Sequence, residues 1–177
     1  MLKEKATIMD SAAIGRAVTR ICYEIIERNK GLDNLCLLGV YTRGALLAER
    51  MAQRLFELEG VQVPLGKLDI TPFRDDLLVP AEHDSSDIAF AISGKKVILV
   101  DDVIFTGRTI RAAIDGIMSR GRPTCVQLAV LLDRGHRELP VRPDYVGKNV
   151  PTSLSETVRV RLTPKDANDS VAIFIEE

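Results

Sequence analysis

The sequence has no tryptophan, few aromatic residues and only three cysteines among its 177 residues. Cys22, Cys36 and Cys125 are far apart and each lies in an apolar stretch, which indicates small core residues and argues against a disulfide framework or a zinc site. No apolar run is long enough to span a membrane. Residues 1–5 lead into a charged helix pattern and do not resemble a secretory signal. We therefore expect a cytoplasmic protein with no membrane partner.

The sequence also has no excess of either charge. It contains 24 lysines and arginines and 25 acidic residues, a formal net charge of -1. This balance argues against a strongly basic nucleic-acid binder but allows a local basic patch. There is no internal repeat and no low-complexity tract. The length suits a single compact domain, which we place at 1–177.

Buried strands are predicted to alternate with amphipathic helices. The strands are continuous apolar runs, at 35–40, 97–100 and 126–132. Helices are predicted from an Asp10 N-cap to Gly31, from about Gly44, and from the end of the second strand to Gly121. Residues 61–73 are expected to be extended and residues 74–94 are polar and acidic, whereas short strands are expected at 157–162 and 171–175. The pattern predicts an α/β fold with a doubly wound, mainly parallel sheet flanked by helices, whose ligands bind at the carboxyl ends of the strands.

The strongest functional signal is the segment 97–109. Its strand ends in Asp101 and Asp102, and a turn with Thr106, Gly107 and Thr109 then opens a helix. A helix N-terminus preceded by a glycine turn can bind phosphate. Adjacent carboxylates can accept hydrogen bonds from sugar hydroxyls or hold hydrated Mg²⁺. The alternative is that these residues only cap a turn and a helix. A Walker B strand is disfavoured because the chain has no G-x-x-x-x-G-K-[ST] loop.

Segment 97–109, Val-Ile-Leu-Val-Asp-Asp-Val-Ile-Phe-Thr-Gly-Arg-Thr, resembles the phosphoribosyl pyrophosphate motif of type I phosphoribosyltransferases. The resemblance implies that Asp101 and Asp102 hold the ribose 2′ and 3′ hydroxyls and, indirectly, a Mg²⁺ cofactor. It implies that the 5′-phosphate is bound by a turn that we call the phosphate turn: Thr106, Gly107, Arg108 and Thr109. Val103 and Phe105 are expected to contact the substrate as well.

Further stretches are similar to one family, the bifunctional uracil phosphoribosyltransferases that also act as RNA-binding attenuators of the pyrimidine operon. They span nearly the whole chain: 20–31, 42–44, 68–71, 74–77, 133–140 and 146–153. This resemblance implies formation of UMP and pyrophosphate from uracil and phosphoribosyl pyrophosphate. It also implies binding of pyrimidine operon leader mRNA under the control of UMP or UTP, and a homodimer or larger oligomer that would cover apolar residues such as Leu2, Ile8 and Leu154.

The resemblance assigns further roles in the cleft. Thr42, Arg43 and Gly44, here called the pyrophosphate turn, would bind the leaving group at a strained peptide bond. Arg74 would reach pyrophosphate from a mobile flap at about 72–94. A small C-terminal hood, from about 134 to 177, would cover the base. The hood residues expected to face substrate are Arg134, Arg137 and Val146. The alternatives are an ordinary strand-to-helix turn at 42–44 and a solvated arginine at 74. His136 is expected to be structural or to contact RNA, because the chemistry needs positioning and electrostatic stabilisation and no histidine base.

The RNA-binding residues are expected on two surfaces. One is the outer face of the first helix and the other is a basic cluster in the hood: Thr19, Arg20, Tyr23, Arg142 and Lys148. Arginines beside an aromatic residue suit RNA loops, where phosphates and unstacked bases are both available. The alternative is a solvated helix face with i,i+4 charge pairs. The resemblance leads us to expect histidine at Tyr23, lysine at Tyr41 and a basic residue at Leu154. A regulator with little catalysis, or a transferase for another base without RNA binding, therefore stays open.

Overall fold

The computed structural model describes residues 2–77 and 83–176. Within them the helices and strands follow one another as β1 (Leu2–Met9), α1 (Ser11–Asn29), β2 (Leu35–Val40), α2 (Arg43–Glu59), β3 (Leu65–Leu68), a 3₁₀ turn (Thr71–Phe73), β4 (Lys96–Ile104), α3 (Arg108–Met118), β5 (Cys125–Asp133), β6 (Tyr145–Asn149), β7 (Thr157–Arg161) and β8 (Ser170–Glu176). Part of the predicted flap, residues 78–82, lies outside the described residues.

A parallel sheet of five strands forms the centre of the molecule, in the order β3-β2-β4-β5-β6. Every residue of β2 is buried, as its continuous apolar run predicts. The core on one face contains residues of α1 and α2 packed on Leu37, Ile98 and Leu131. The core on the other face joins α3 to strand residues that include Leu99 and Val130. Helices therefore cover both faces, and the predicted α/β fold is confirmed.

The helix ends follow the capping residues closely at α1 and less closely at α3. The Asp10 side chain accepts a hydrogen bond from the Ala13 N–H at 2.8 Å, which confirms the predicted N-cap. Helix α3 ends at Met118 with Ser119 as its C-cap, before the predicted end at Gly121.

Among the described residues, no helix is long and apolar enough to cross a membrane.

A second, antiparallel sheet has the order β1-β8-β7. We call it the small sheet. Its first strand is formed by residues 2–9, so the expectation of a charged helix pattern at the N-terminus is wrong. Residues of β1 pair with β8 from Leu2–Glu176 to Met9–Val171, and this long-range pairing overrides the local pattern. The small sheet therefore combines both ends of the chain.

Strand β6 and Cys125 also differ from the sequence-based expectations. Residues 145–149 were not predicted as a strand, yet they form an edge of the main sheet beside β5. Gly147 fits there because a Cβ would collide with the Leu131 carbonyl. Cys125 was expected in the core but is exposed at the start of β5. Cys22 and Cys36 are buried as expected, and burial raises their thiol pKa values to about 12 and about 11.

Candidate active site

The main sheet brings three segments of the chain to one edge. Because β2, β4 and β5 are parallel, their carboxyl ends lie side by side. The pyrophosphate turn follows β2, the acidic pair lies in the last part of β4, and Asp133 ends β5. This common edge is where a doubly wound sheet binds its ligands.

The two carboxylates differ in their surroundings. Asp101 is buried, with 6% of its surface exposed, and its Oδ1 accepts a hydrogen bond from the Asp102 N–H at 2.8 Å. Asp102 is partly exposed and accepts the Val103 N–H at 2.8 Å. Burial, and next the charge of Asp102, raises the pKa of Asp101 well above its usual range. Ligand groups that donate hydrogen bonds or carry positive charge would favour its ionised form.

Gly44 packs the pyrophosphate turn directly against the acidic pair. A Cβ at this position would lie 2.6 Å from the Val100 carbonyl oxygen, 3.1 Å from the Asp101 Cα and 3.2 Å from the Asp101 Oδ1. Only glycine permits this approach. The peptide bond between Tyr41 and Thr42, at the start of this turn, is cis. Residues separated by more than fifty positions thus meet at the edge of the sheet.

The phosphate turn leads into α3. Gly107 is the N-cap with a φ of 93°, in the left-handed region that favours glycine. Among the residues that the structure describes, no side chain caps this helix with a hydrogen bond. The Thr106 hydroxyl accepts the Arg108 N–H at 3.3 Å, and the Thr106 carbonyl accepts the Glu138 N–H at 2.9 Å. Thr109 lies in the first turn of α3. An anion at this turn would meet backbone N–H groups at the positive end of a helix.

Arg43 projects from the first turn of α2 and is held by an acidic loop between β7 and β8. Its Nε and Nη2 donate to the two oxygens of Asp166 at 3.2 and 3.0 Å. Two turns farther along α2, Arg50 makes a matching pair with Asp169 at 2.6 and 3.0 Å. Together they fasten the loop 162–169 to α2.

Arg74 and Arg108 lie where the flap begins. Arg74 pairs with Asp76, at 2.8 Å from Nε to Oδ1. Arg108 donates to Glu138 at 2.7 Å and to Asp75 at 2.9 Å. Its side chain therefore joins the phosphate turn to the start of the flap and to the hood. The predicted reach of Arg74 to pyrophosphate stays a prediction.

Arg134 is buried and holds the hood together. It donates to the Thr152 hydroxyl and to the carbonyls of Ser153 and Glu156 at 2.8–3.0 Å. Its guanidinium lies 4.0 Å from the ring centroid of Phe105. Burial lowers its pKa, although it is still cationic at neutral pH. Its predicted substrate contact stays a prediction, and the contacts that the structure shows are structural.

Two other predicted hood residues have internal partners as well. Arg137 donates to the Val141 and Phe105 carbonyls and to Asp133, at 2.6–2.9 Å. Val146 packs against the core on the α3 face of the sheet. The ring of His136 makes an edge contact with Phe105, and its Nε2 is hydrogen-bonded to the Thr152 carbonyl. His136 thus has structural contacts, as one of its two predicted roles requires.

The predicted RNA-binding residues of α1 line a groove between α1 and α2. Tyr23 has 55% of its surface exposed. Thr19 accepts a hydrogen bond from Arg54 of α2 at 3.2 Å. Arg20 donates to the carbonyls of Val146 and Gly147 and pairs with Glu24. Arg20 therefore also ties α1 to β6, so its replacement would disturb more than an RNA contact.

Arg142 and Lys148 are both exposed; Arg142 precedes β6 and Lys148 lies within it. The contacts of Arg20 with β6 place the α1 face next to this strand. Both predicted basic surfaces therefore lie next to β6. Of the apolar residues expected to face outward, Leu154 is 73% exposed and Leu2 39% exposed, whereas Ile8 is partly buried.

Sequence reasoning missed two residues beside these sites. Asp166 lies in no recognisable motif, and only the folded loop brings it to Arg43. Arg54 lines the groove next to Thr19 and had a weak signal, since Arg50 and Arg54 are four residues apart and share a face of α2.

Comparisons with known proteins place the chain in a family. The phosphoribosyl transferase domain model matches residues 5–162. The bifunctional protein PyrR of Streptococcus uberis is 59% identical over 170 residues, which cover 96% of this chain and 97% of that protein. A pyrimidine operon regulatory protein of Lactococcus lactis is 58% identical, with coverage of 96% and 97%. A bifunctional protein PyrR of Listeria monocytogenes is 56% identical, with coverage of 99% of each chain.

Solved structures agree on the fold. A hypoxanthine phosphoribosyltransferase from Trypanosoma cruzi, in a ternary substrates complex, superposes with a TM-score of 0.77 at 19% identity and covers 96% of this chain and 95% of that chain. A hypoxanthine-guanine phosphoribosyltransferase from Bacillus anthracis gives 0.72 at 20% identity, with coverage of 99% and 100%. The fold at this level of identity and the sequence match over nearly the full chain agree: the chain belongs to the phosphoribosyltransferase family and, within it, to the bifunctional PyrR proteins of pyrimidine operon regulation.

Proposed function

We propose that the chain is a uracil phosphoribosyltransferase that also regulates the pyrimidine operon by binding its leader mRNA. The observation that carries the enzymatic part is the close packing of Gly44 on Asp101. It joins a cationic turn suited to pyrophosphate to a carboxylate pair suited to ribose. The phosphate turn continues from the same strand. A phosphoribosyl pyrophosphate molecule needs these three features in one cleft.

Each of the three features would bind a different part of phosphoribosyl pyrophosphate. Asp101 and Asp102 would accept hydrogen bonds from the ribose hydroxyls. The N–H groups at the start of α3 would bind the 5′-phosphate. Arg43 and the backbone of the pyrophosphate turn would bind the leaving group, because an arginine fork suits phosphate oxygens. The remaining substrate, uracil, would lie between Phe105 and the hood.

A Mg²⁺ ion fits this donor set as a substrate-borne cofactor. Among residues 2–77 and 83–176, no cluster of three or more acidic, histidine or cysteine side chains could cage a metal. Mg²⁺ commonly binds through one or two carboxylates, water and substrate phosphates. Asp101 and Asp102 would hold it through water or ribose hydroxyls, and the ion would supply charge neutralisation for the departing pyrophosphate.

Catalysis would depend on positioning the two substrates and on electrostatic stabilisation of the charges that develop. The bond between C1 of the ribose and the pyrophosphate oxygen breaks, and positive charge develops on the ring. Uracil N1 forms the new bond to C1 and releases its proton to solvent. The carboxylates of Asp101 and Asp102 stabilise the cationic ring, and Arg43 stabilises the negative charge that grows on pyrophosphate. The hood restricts the approach of water and of the wrong base.

The enzymatic assignment is tested by replacing both carboxylates. Asp101→Asn with Asp102→Asn should abolish UMP formation from uracil and phosphoribosyl pyrophosphate. Circular dichroism and thermal unfolding should show a folded protein, since asparagine has the size of aspartate and keeps the Oδ1 atoms that accept the Asp102 and Val103 N–H groups. A double variant that keeps near-normal rates would show that these residues do not hold the ribose.

The regulatory part rests on the groove between α1 and α2 and on the exposed basic residues beside β6. The net charge of -1 means that affinity for RNA must come from such a local surface. Tyr23 could stack on a loop base, which contributes about 1–3 kcal/mol independently of salt. A uridine nucleotide in the cleft would couple to this surface through the hood, because Arg20 holds the first residues of β6.

The RNA assignment is tested at three exposed residues whose side chains, unlike that of Arg20, do not tie α1 to β6. Arg142→Ala with Lys148→Ala should weaken leader RNA binding and flatten its salt dependence by about one unit per lost phosphate contact. Tyr23→Ala should weaken binding equally at all salt concentrations. Titrations are made with and without UMP. Unchanged affinity in all three substitutions would favour the alternative, an enzyme of the same family that does not bind RNA on this surface.

A further inference from the structure

We propose that Asp166 is a positioning residue for the pyrophosphate leaving group, because its carboxylate holds the guanidinium of Arg43, a residue of the pyrophosphate turn. This inference rests on the proposed transferase function. It adds Asp166, which lies in the loop between β7 and β8 and outside the sequence motifs of the cleft, to the residues that bind the donor substrate.

The contact between the two side chains is a two-point pair, in which two guanidinium nitrogens reach the two carboxylate oxygens. Arg43 Nε and Nη2 reach the two carboxylate oxygens of Asp166 at 3.2 and 3.0 Å. The Asp166 side chain is 19% exposed and that of Arg43 31% exposed, so the pair is shielded on most sides. A paired fork of this kind sets the plane of the guanidinium as well as its distance.

Asp166 is itself anchored, which lets it act as a fixed support. Its Oδ2 accepts the Leu162 N–H at 2.8 Å, and its own N–H donates to the Leu162 carbonyl at 2.9 Å. At the far end of the loop, Asp169 pairs with Arg50 and accepts the Thr163 N–H at 2.8 Å. Without this support the long Arg43 side chain would sample many rotamers.

The pair leaves the other edge of the guanidinium available to a ligand. Arginine has five N–H donors, and Asp166 engages Nε and Nη2. Within the described part of the chain, Arg43 Nη1 makes no hydrogen bond. Pyrophosphate would therefore meet an arginine that is already ordered, and would not bear the entropic cost of ordering a long side chain.

The opposite effect is also physically possible and gives the test its direction. The Asp166 carboxylate could compete with pyrophosphate for Arg43, in which case its removal would strengthen binding. Two features favour positioning. The first turn of α2 contains no acidic residue, so Asp166 does not add to an existing negative cluster there. Lys165, the neighbour of Asp166, offsets the carboxylate charge.

The experiment measures the dissociation constant of magnesium pyrophosphate by calorimetry, with the intact chain and its variants. Asp166→Asn should weaken binding about three- to tenfold, the size expected when a ligand must order one long side chain. It should raise KM for phosphoribosyl pyrophosphate more than it lowers kcat. Asp169→Asn is the matched control, because it breaks the equivalent pair two turns away; pyrophosphate affinity should stay within about twofold of the parent.

A double-mutant cycle separates positioning from general loosening of the loop. Arg43→Ala alone should weaken pyrophosphate about 10- to 100-fold. Adding Asp166→Asn to Arg43→Ala should then change nothing further. Wild-type or tighter binding by Asp166→Asn, or a full additional loss in the double variant, would overturn the inference. If Asp166→Asn does not fold, Arg43→Lys replaces it, because lysine keeps the charge but loses the two-point pair, and a comparable loss is expected.

The cycle also distinguishes this inference from the proposed function. A parent chain that binds no pyrophosphate and forms no nucleotide would refute both. A normal parent with an Arg43→Ala variant of unchanged affinity would remove Arg43, and with it Asp166, from the site while the transferase function stands. A weakened Arg43→Ala beside a normal Asp166→Asn would refute the role of Asp166 alone.

Discussion

Replacing Gly44 with alanine should displace the pyrophosphate turn from the ribose-binding carboxylates. The new methyl group would lie 2.6 Å from the Val100 carbonyl oxygen and 3.1 Å from the Asp101 Cα. Both are backbone atoms in the middle of the sheet, so they cannot rotate away. The helix start must therefore move outward. Overpacking of this kind costs about 1–3 kcal/mol of stability.

The same displacement should have a larger effect on catalysis than on stability. A misplacement of about 1 Å in a positioning group can lower activity about 100-fold. We expect a fall of that size in kcat/KM for phosphoribosyl pyrophosphate, measured by initial rates of UMP formation with saturating uracil. Urea unfolding of the same preparations should show that the protein is folded under assay conditions.

Gly60→Ala provides the matched control at the other end of the same helix. Gly60 is the C-cap of α2 with a φ of 67°, and no atom of residues 2–77 and 83–176 lies within 4 Å of the position that a Cβ would take. Alanine there costs about 1 kcal/mol through backbone strain alone. Its rates should equal those of the parent chain. If Gly44→Ala keeps parental rates, or if Gly60→Ala loses activity to the same extent, the close packing on Asp101 is not what the cleft requires.

Three further predictions concern buried charges. The hydrogen bond from Arg50 lowers the pKa of Asp169 from 3.8 to about 2, so the ion pair stabilises the fold above pH 3.8. In urea unfolding curves, Asp169→Asn should lower the free energy of unfolding by roughly 2 kcal/mol at pH 7 and by almost nothing near pH 2. Burial raises the pKa of Asp101, so the neutral carboxyl group is compatible with the fold at low pH and the charged one destabilises it as the pH rises. Asp101→Asn should therefore unfold at a higher temperature than the parent at pH 8, and the difference should shrink towards pH 4. An unchanged unfolding midpoint at pH 8 would refute this. Arg134→Ala should cost about 2–4 kcal/mol, because it leaves the buried Glu156 carbonyl unpaired and removes the hydrogen bonds to Thr152 and Ser153. A loss below about 1 kcal/mol would contradict the structural role given to this arginine.

Much of the fold was visible in the sequence because the parallel strands are buried on both faces. The runs at 35–40, 97–100 and 126–132 needed no knowledge of their neighbours to be identified as strands. The segment 97–109 also carried its chemistry locally, since two carboxylates and a phosphate turn follow one strand. The position of a ligand cleft at the carboxyl ends of the strands then follows from the topology.

What the sequence did not show depends on contacts between distant residues. Strand β1 has no decisive local pattern and is determined by pairing with β8 at the other end of the chain. Strand β6 is a short edge strand set by β5. The contact of Asp166 with Arg43 spans 123 residues. Patterns of nearby residues contain no information about such pairings.

Side-chain roles were harder to predict than positions. Arg134 and Arg137 follow β5 as expected, yet their hydrogen bonds go to the protein itself. Arg20 was predicted as an RNA contact, and the structure also uses it to hold β6. An arginine in a sequence gives a charge and five donors, and only the fold determines which partners they find.

The measurement that tests the central claim most directly is nucleotide formation from phosphoribosyl pyrophosphate with one base offered at a time. The assay contains the purified chain, Mg²⁺, and uracil, orotate, hypoxanthine or guanine. The proposed function predicts UMP and stoichiometric pyrophosphate with uracil, with rates for the other bases lower by orders of magnitude. A purine nucleotide or orotidine monophosphate as the main product, or no product with any base, would contradict the claim that this cleft transfers phosphoribose to uracil.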